Sequence, residues 1–203
     1  FSPETARINE FSVKNTDVSL TLGSIESSDT VPSEPLYWKI LLDEIDFENV
    51  GFALKMPQDS LFVRTMLPKT TLKNGVIDLK EASYYVKSFG IDNAELAYGP
   101  KEELFLQQIG LQLDSIYYCG KDIRANIEEF VLKERSGLEL VSTEGRIVSD
   151  SVLIEIPKFT MKTTASSLDL QTKIGWDVLE MKKTGVLSAK INAEIGKGDV
   201  AKI

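Results

Sequence analysis

Apolar and polar residues alternate with a period of two along most of the chain. The clearest run covers residues 187–195, and shorter runs cover 109–114 and 168–176. Successive side chains of a strand point to opposite faces, so each run has one apolar and one polar face. This pattern is typical of antiparallel sheet, because parallel strands are buried on both faces and have continuous apolar runs.

Turn signals separate these runs at intervals of roughly 8 to 12 residues. The strongest is Asn74-Gly75, which predicts a two-residue hairpin. Helix signals are weak, and the window 59–67 suits a short helix or a strand equally well. The spacing predicts an all-β meander, sandwich or barrel. Further candidate turns are Gly99-Pro100, Gly120-Lys121, Ser136-Gly137, Ser149-Asp150 and Thr184-Gly185.

An eight-residue unit recurs, with apolar residues at its first, third, sixth and eighth positions. The apolar positions change parity in the middle of the unit, so a continuous strand keeps them on one face only if a bulge inserts one residue. A two-residue hairpin would have the same effect, but the middle residues lack the Asn-Gly sequence that such turns prefer. The units therefore favour bulged strands of a curved sheet, while core strands of a closed sandwich remain the alternative. They are IDFENVGF from Ile45, FGIDNAEL from Phe89, LQLDSIYY from Leu111, ANIEEFVL from Ala125 and IEIPKFTM from Ile154.

Composition disfavours several classes of function. Acidic residues outnumber basic ones by 31 to 23, and the net charge of −8 argues against binding to nucleic acid or to an anionic membrane surface. The chain has no histidine and no phosphate-binding glycine loop, and its single cysteine, Cys119, excludes an internal disulfide. We expect Trp38 and Trp176 to lie in the hydrophobic core in preference to stacking against a bound sugar. We therefore expect no enzyme activity, no cofactor and no metal.

Four acidic residues lie close together at Asp43, Glu44, Asp46 and Glu48. Such a cluster is compatible with a calcium site, since carboxylates are the preferred calcium ligands. However, the alternation places the last three on the polar face of a strand. A solvated strand face is the favoured interpretation.

Three stretches resemble a known family: YWKILLDEIDFENVGFAL, GVIDLKEASYYVKSFGIDNAELAY and SGLELVSTEGRIVSDSVLIEIPKFTMKTTASSLDLQ. They are similar to the AsmA-like envelope proteins, and most closely to the TamB (translocation and assembly module) group. The resemblance covers roughly residues 36–203. Its motifs are degenerate alternations without a catalytic signature.

The resemblance implies a periplasmic protein anchored in the inner membrane by an N-terminal segment outside this chain. It also implies an elongated, curved antiparallel sheet that forms a taco-like groove and supports lipid transport to, and assembly of, the outer membrane. The implied partners are a phospholipid or other acyl-chain lipid and an outer-membrane assembly protein, the latter bound through regions outside this chain. On this basis we expect a loosely structured segment or lip over residues 1–35 and a β-groove domain over residues 36–203.

Apolar positions of the units and of the alternating strands are the candidate lipid contacts. An acyl chain needs only a dry apolar surface, worth about 0.8 kcal/mol per buried CH₂. Glu95 and Lys158 are expected on the opposite face. A ligand-free structural β-sandwich module of the envelope, or an enzyme or carbohydrate-binding sandwich, remains an alternative. The candidate lining residues are Phe47, Phe52, Ile91, Leu96, Leu113, Ile127, Ile154, Ile156, Phe159, Leu170 and Ile191.

Overall fold

The computed structural model describes residues 4–22, 37–56, 61–99, 101–181 and 184–201. These residues form ten strands and two helices of four residues each. In chain order the elements are β1 (Thr5–Thr21), β2 (Lys39–Met56), β3 (Leu61–Asp78), β4 (Ser83–Tyr98), β5 (Leu104–Cys119), β6 (Asp122–Glu134), β7 (Glu139–Ser149), β8 (Leu153–Thr163), β9 (Ser167–Gly175), α1 (Trp176–Leu179), β10 (Leu187–Glu194) and α2 (Lys197–Val200).

All ten strands belong to one open sheet whose spatial order is the chain order, β1 to β10. Each strand packs against the strands that precede and follow it in sequence. The pairs from β2 to β10 are antiparallel, as the alternation predicts. The pair β1–β2 is parallel, which the sequence did not indicate. The predicted all-β class, an elongated curved sheet with bulges and little helix, is confirmed.

The N-terminal part of the chain differs from the loose segment expected over residues 1–35. Residues 5–21 form β1, a full strand that pairs with β2 along its whole length. Residues 23–36, which contain the Ser-, Glu- and Pro-rich sequence SIESSDTVPSEP, lie outside the described residues. The alternation in β1 is hidden because its apolar positions change parity along the strand: they are Ile8, Phe11, Val13, Val18 and Leu20.

The predicted bulges are present inside the strands. Asn49 and Asn93 occupy the middle of the first two units and have positive φ angles of 53° and 54°. Asn is one of the few residues besides Gly that adopt this backbone conformation readily. The ladder keeps its register across Asn49, with Glu48 opposite Lys69 before it and Val50 opposite Leu67 after it. Strands β2 and β3 therefore each insert one residue at the same level of their ladder. Such insertions bend and twist the sheet.

The hairpin predicted at Asn74-Gly75 is wrong. Both residues lie inside β3, Asn74 with a φ of 52°, and the chain turns at residues 79–82 instead. A Cβ on Gly75 would lie 3.2 Å from the Cβ of Leu42, so glycine here permits close packing against β2. The Asn-Gly pair forms a kink within β3 and does not reverse the chain.

Most of the other predicted turns are confirmed. The chain reverses at residues 120–121, 135–138 and 150–152, which include three of the candidate pairs or directly follow them. Gly99 lies in the β4–β5 connection, and Pro100 lies outside the described residues. The ambiguous window 59–67 is strand from Leu61 onward.

The two short helices pack at opposite ends of the strands. In α1, the indole N–H of Trp176 donates to the carbonyl oxygen of Asp150, 2.7 Å away. In α2, the buried carboxylate of Asp199 accepts hydrogen bonds from the hydroxyls of Thr163 and Ser166 at the β8–β9 turn. These contacts fix the segments on either side of β10 to the body of the sheet.

Candidate functional site

One face of the sheet carries an apolar row that crosses all ten strands. Directly paired residues of neighbouring strands lie on the same face, so the register identifies every member of the row. Nine members are apolar, and the tenth, Gly145, faces the ring of Phe159, which fills the space next to it. The row runs Phe11, Ile45, Leu72, Phe89, Leu113, Ile127, Gly145, Phe159, Leu170 and Ile191.

The structure places all eleven predicted lining residues on this apolar face. Five of them belong to the row itself. Phe47 and Ile91 are joined through Thr70 in the neighbouring row, and Phe52 and Leu96 are joined through Thr65. The last two, Ile154 and Ile156, lie opposite Ile174 and Thr172 of β9, whose Leu170 is in the row.

Nothing in the described part of the chain covers the apolar face. No large side chain there is fully buried, whereas a two-layer core seals many of them. The sheet is one layer, and its strands contact one another only side by side. The exposure is greatest at β10, where Ile191 is 63% exposed.

Charged side chains are nearly absent from the apolar face of the described strands. Among the described residues whose face the register fixes, Glu134 at the end of β6 is the single charged one, and its carboxylate accepts the backbone N–H of Ser136. The hydroxyl of Thr172 donates to the carbonyl oxygen of Ser188, 2.9 Å away, so its polar atom is satisfied within the sheet. The hydroxyls of Thr70 and Thr143 are buried without a partner. The face is therefore apolar with a few small polar gaps.

The opposite face is a lattice of cross-strand ion pairs. Glu44, Asp46 and Glu48 of the acidic cluster lie on it, as the alternation predicts. The Lys14 ammonium, by hydrogen bonding to Glu48, lowers the pKa of that carboxyl, and Lys14 has a raised pKa in return. These pairs are exposed, and each contributes little to stability. Among them are Arg7–Asp43 (3.0 Å), Lys14–Glu48 (2.7 Å), Lys73–Glu44 (2.9 Å), Lys158–Glu144 (3.7 Å) and Lys173–Glu155 (3.0 Å).

A concavity of about 360 Å³ lies on the polar face, not on the apolar one. Its floor contains Gly51, Ala53 and Ala97, and its rim includes Asp17 and Glu95. In the described part of the chain the apolar face is one broad layer without an opposing wall. A ligand of that face would lie along it.

Sequence reasoning missed the contribution of β1 to the apolar face. Phe11 lies in the ten-strand row, and its ring packs edge-on against Phe47 with the ring centroids 6.4 Å apart. The signal was available, because β1 has the same parity changes as the eight-residue units. In β1 one apolar position of the unit is Thr16, which obscured the match.

Neither helix in the described residues has the length and hydropathy of a membrane span. Comparisons with protein-family models, with curated proteins and with solved structures find no match to this chain.

Proposed function

We propose that this chain is a segment of a groove protein that binds acyl-chain lipids along its apolar face. The observation that carries the proposal is the uncovered row of apolar residues crossing all ten strands. With neighbouring strands about 4.8 Å apart, the row is about 43 Å long, longer than an extended lipid acyl chain. Polar residues on the opposite face keep such a sheet soluble.

The energetics suit this ligand class. Each methylene buried against the face contributes about 0.8 kcal/mol, so a chain of a dozen methylenes has ample binding energy even when partly exposed. The near absence of charge on the face favours the hydrocarbon part of a lipid over its headgroup, since burying an unpaired charge is costly. Bulges bend the strands, and a sheet bent toward its apolar side would shield the chain from water.

The wider role follows from the resemblance to AsmA-like proteins. In this proposal the segment lies in the periplasm, an N-terminal segment outside it provides the inner-membrane anchor, and lipid passes toward the outer membrane. An outer-membrane assembly protein binds elsewhere on the longer protein. The proposal involves no catalytic step, cofactor or metal.

Site-specific photocrosslinking tests the proposal. A photoreactive residue is placed at Ile91 or at Ile156, and the purified protein is incubated with phosphatidylcholine, illuminated and examined by mass spectrometry. We expect lipid adducts at both positions because both lie on the apolar face. Glu95 and Lys158, close by in the same strands but on the polar face, are the matched controls and should give none.

Equal labelling at the two kinds of position would indicate non-specific insertion and contradict the proposal. The absence of adducts at Ile91 and Ile156 would favour the alternative of a structural module. In that case the apolar face would be covered by another part of the longer protein, and no lipid would reach it.

A further inference from the structure

Tyrosine and tryptophan, the aromatic residues whose side chains carry an O–H or N–H group, are concentrated at one end of the strands. The chain contains two tryptophans and six tyrosines. The register brings the first residues of β2, β4 and β6 together with the last residues of β3 and β5 at one border of the sheet. Both tryptophans and five tyrosines lie at this border, which we call the aromatic rim: Tyr37, Trp38, Tyr84, Tyr85, Tyr117, Tyr118 and Trp176.

The rim extends over both faces of the sheet. Tyr84 and Tyr118 pair on the apolar face, with ring centroids 6.0 Å apart, while Tyr85 and Tyr117 pair on the polar face. Aromatic residues therefore surround the end of the sheet on both sides. The sixth tyrosine, Tyr98, ends β4 at the opposite border.

Exposed aliphatic side chains project from the turns of the same border. Val152 in the β7–β8 turn is 67% exposed, and Met181, after α1, is 93% exposed. Val186, just before β10, is 58% exposed. Tyr37 and Trp38 are themselves among the exposed large residues. The border thus presents apolar tips beyond a belt of amphipathic rings.

The charges of this border neutralise one another. Four basic side chains among the described residues of this border each have an acidic partner close by, so these pairs add no excess of positive charge. The pairs are Lys39–Asp78 (3.6 Å), Lys80–Glu81 (3.8 Å), Lys121–Glu180 (2.8 Å) and Arg124–Asp122 (3.0 Å).

We propose that the aromatic rim docks on the surface of a zwitterionic lipid bilayer. Tyr and Trp are the side chains that favour the headgroup level of a membrane, where the ring is apolar on one side and its O–H or N–H stays hydrated. The aliphatic tips of Val152 and Met181 enter the acyl boundary below that level. The paired charges of the described residues and the net charge of −8 disfavour the electrostatic attraction on which binding to anionic lipids depends.

The spread of the rim favours a membrane over a protein partner. Its aromatic residues extend from the start of β2 to the end of β9, a distance of about 34 Å across seven strand spacings. Protein-binding hot spots instead cluster at the centre of one packed patch. The rim proposal does not depend on lipid binding by the apolar face, although the two together would place the face next to a source of lipid.

The unmodified protein is its own probe, because both tryptophans lie at the rim. Adding phosphatidylcholine vesicles should shift tryptophan emission to shorter wavelength, and vesicles with brominated acyl chains should quench it. Substituting Val152→Asp together with Met181→Asp should weaken vesicle binding at least tenfold. Both positions are highly exposed, so the fold should be retained, which circular dichroism checks. Val141→Asp, at an exposed position of β7 closer to the opposite border, is the control and should bind as the parent does.

The proposal is overturned if the parent shows neither shift nor quenching, or if it binds only vesicles that contain anionic lipid. Equal loss of binding in the Val141→Asp control would also contradict it. Emission that changes with protein concentration in the absence of lipid would show a protein interface at the rim instead. Ile156→Asp separates the two proposals, since it should abolish acyl-chain labelling at the apolar face and leave vesicle binding unchanged.

Discussion

Replacing Ile156 by Asp places a carboxylate on the apolar face of β8. Ile156 is half-buried and lies opposite Thr172. Complete burial of such a side chain contributes about 1.5–3 kcal/mol, so its loss here costs about 1–2 kcal/mol. The lower strand propensity of Asp adds up to about 1 kcal/mol. Because the face is uncovered, the carboxylate keeps its water and no further desolvation cost arises. We expect a total loss of about 1–3 kcal/mol.

Relative to the total free energy of each process, the Ile156→Asp substitution should weaken acyl-chain binding more than it weakens folding. A hydrated carboxylate keeps about three methylenes of an acyl chain off the surface, which removes about 2.4 kcal/mol and weakens binding roughly 50-fold. Urea unfolding followed by circular dichroism measures the first quantity, and displacement of a fluorescent fatty acid measures the second. Lys162→Asp is the control, since Lys162 is on the polar face of the same strand between Ser142 and Ser167. It should change neither stability nor binding appreciably.

Two results would refute this reasoning. A loss of more than about 5 kcal/mol, or an unfolded protein, would mean that Ile156 lies in a sealed core where the charge is desolvated. A folded variant that binds the fatty acid as tightly as the parent would mean that the acyl chain does not run along this part of the face.

Other perturbations test the fold more directly. Far-ultraviolet circular dichroism should be dominated by strand, since 77% of the described residues are in strands and 5% in helices, and a helix content above roughly a quarter would contradict the fold. Asn49→Ala should cost about 1 kcal/mol in urea unfolding because of the positive φ, whereas Asn49→Gly should cost less; equal costs would argue against a strained bulge. Asp199→Ala removes the acceptor of three hydroxyl hydrogen bonds at the β8–β9 turn. Amide hydrogen exchange should therefore accelerate in β10 and not in β2–β4. Uniform acceleration across the sheet would contradict a local role for Asp199. The pKa of Glu48 is lowered by Lys14, so the contribution of this carboxylate to stability is fully present above its ordinary pKa of 4.5. That contribution is lost as the pH falls through the lower pKa of the folded state. A Glu48→Gln variant that loses stability in acid to the same extent as the parent would contradict this.

The parts of the fold that could be predicted depend on local side-chain parity. In the units beginning at Ile45 and Phe89 the change of parity favours a bulge over a two-residue hairpin, because the middle residues lack the Asn-Gly sequence that such a turn prefers. That argument needs no information about neighbouring strands. The same parity argument selected the eleven candidate residues, and the register places them on one face. Whether they contact lipid stays a prediction.

The missed features depend on pairing between distant segments. The parallel pairing of β1 with β2 joins Thr5 to Lys39 and Thr21 to Lys55, and no local pattern distinguishes a parallel edge strand with one exposed face from an antiparallel one. Asn74-Gly75 has the sequence of a hairpin but lies inside β3, because Gly75 packs against Leu42 of the neighbouring strand. The aromatic rim was likewise hidden, since its members are far apart in sequence and meet only through the register.

The matched insertions in neighbouring strands have a consequence for how such a protein changes in length over evolution. Because Asn49 and the facing residue Pro68 are added at the same level, the β2–β3 ladder leaves this bulge in the register in which it entered. Each described strand pairs only with its sequence neighbours, so gain or loss of a whole hairpin by gene duplication or deletion would preserve the surrounding pairings. The length of the sheet can then change by whole hairpins, each of which adds two strands or about 10 Å. The cross-section of the sheet stays the same. An insertion in one strand alone, such as the extra residue of β8 between Ile156 and Phe159, instead shifts the register of its ladder by one residue.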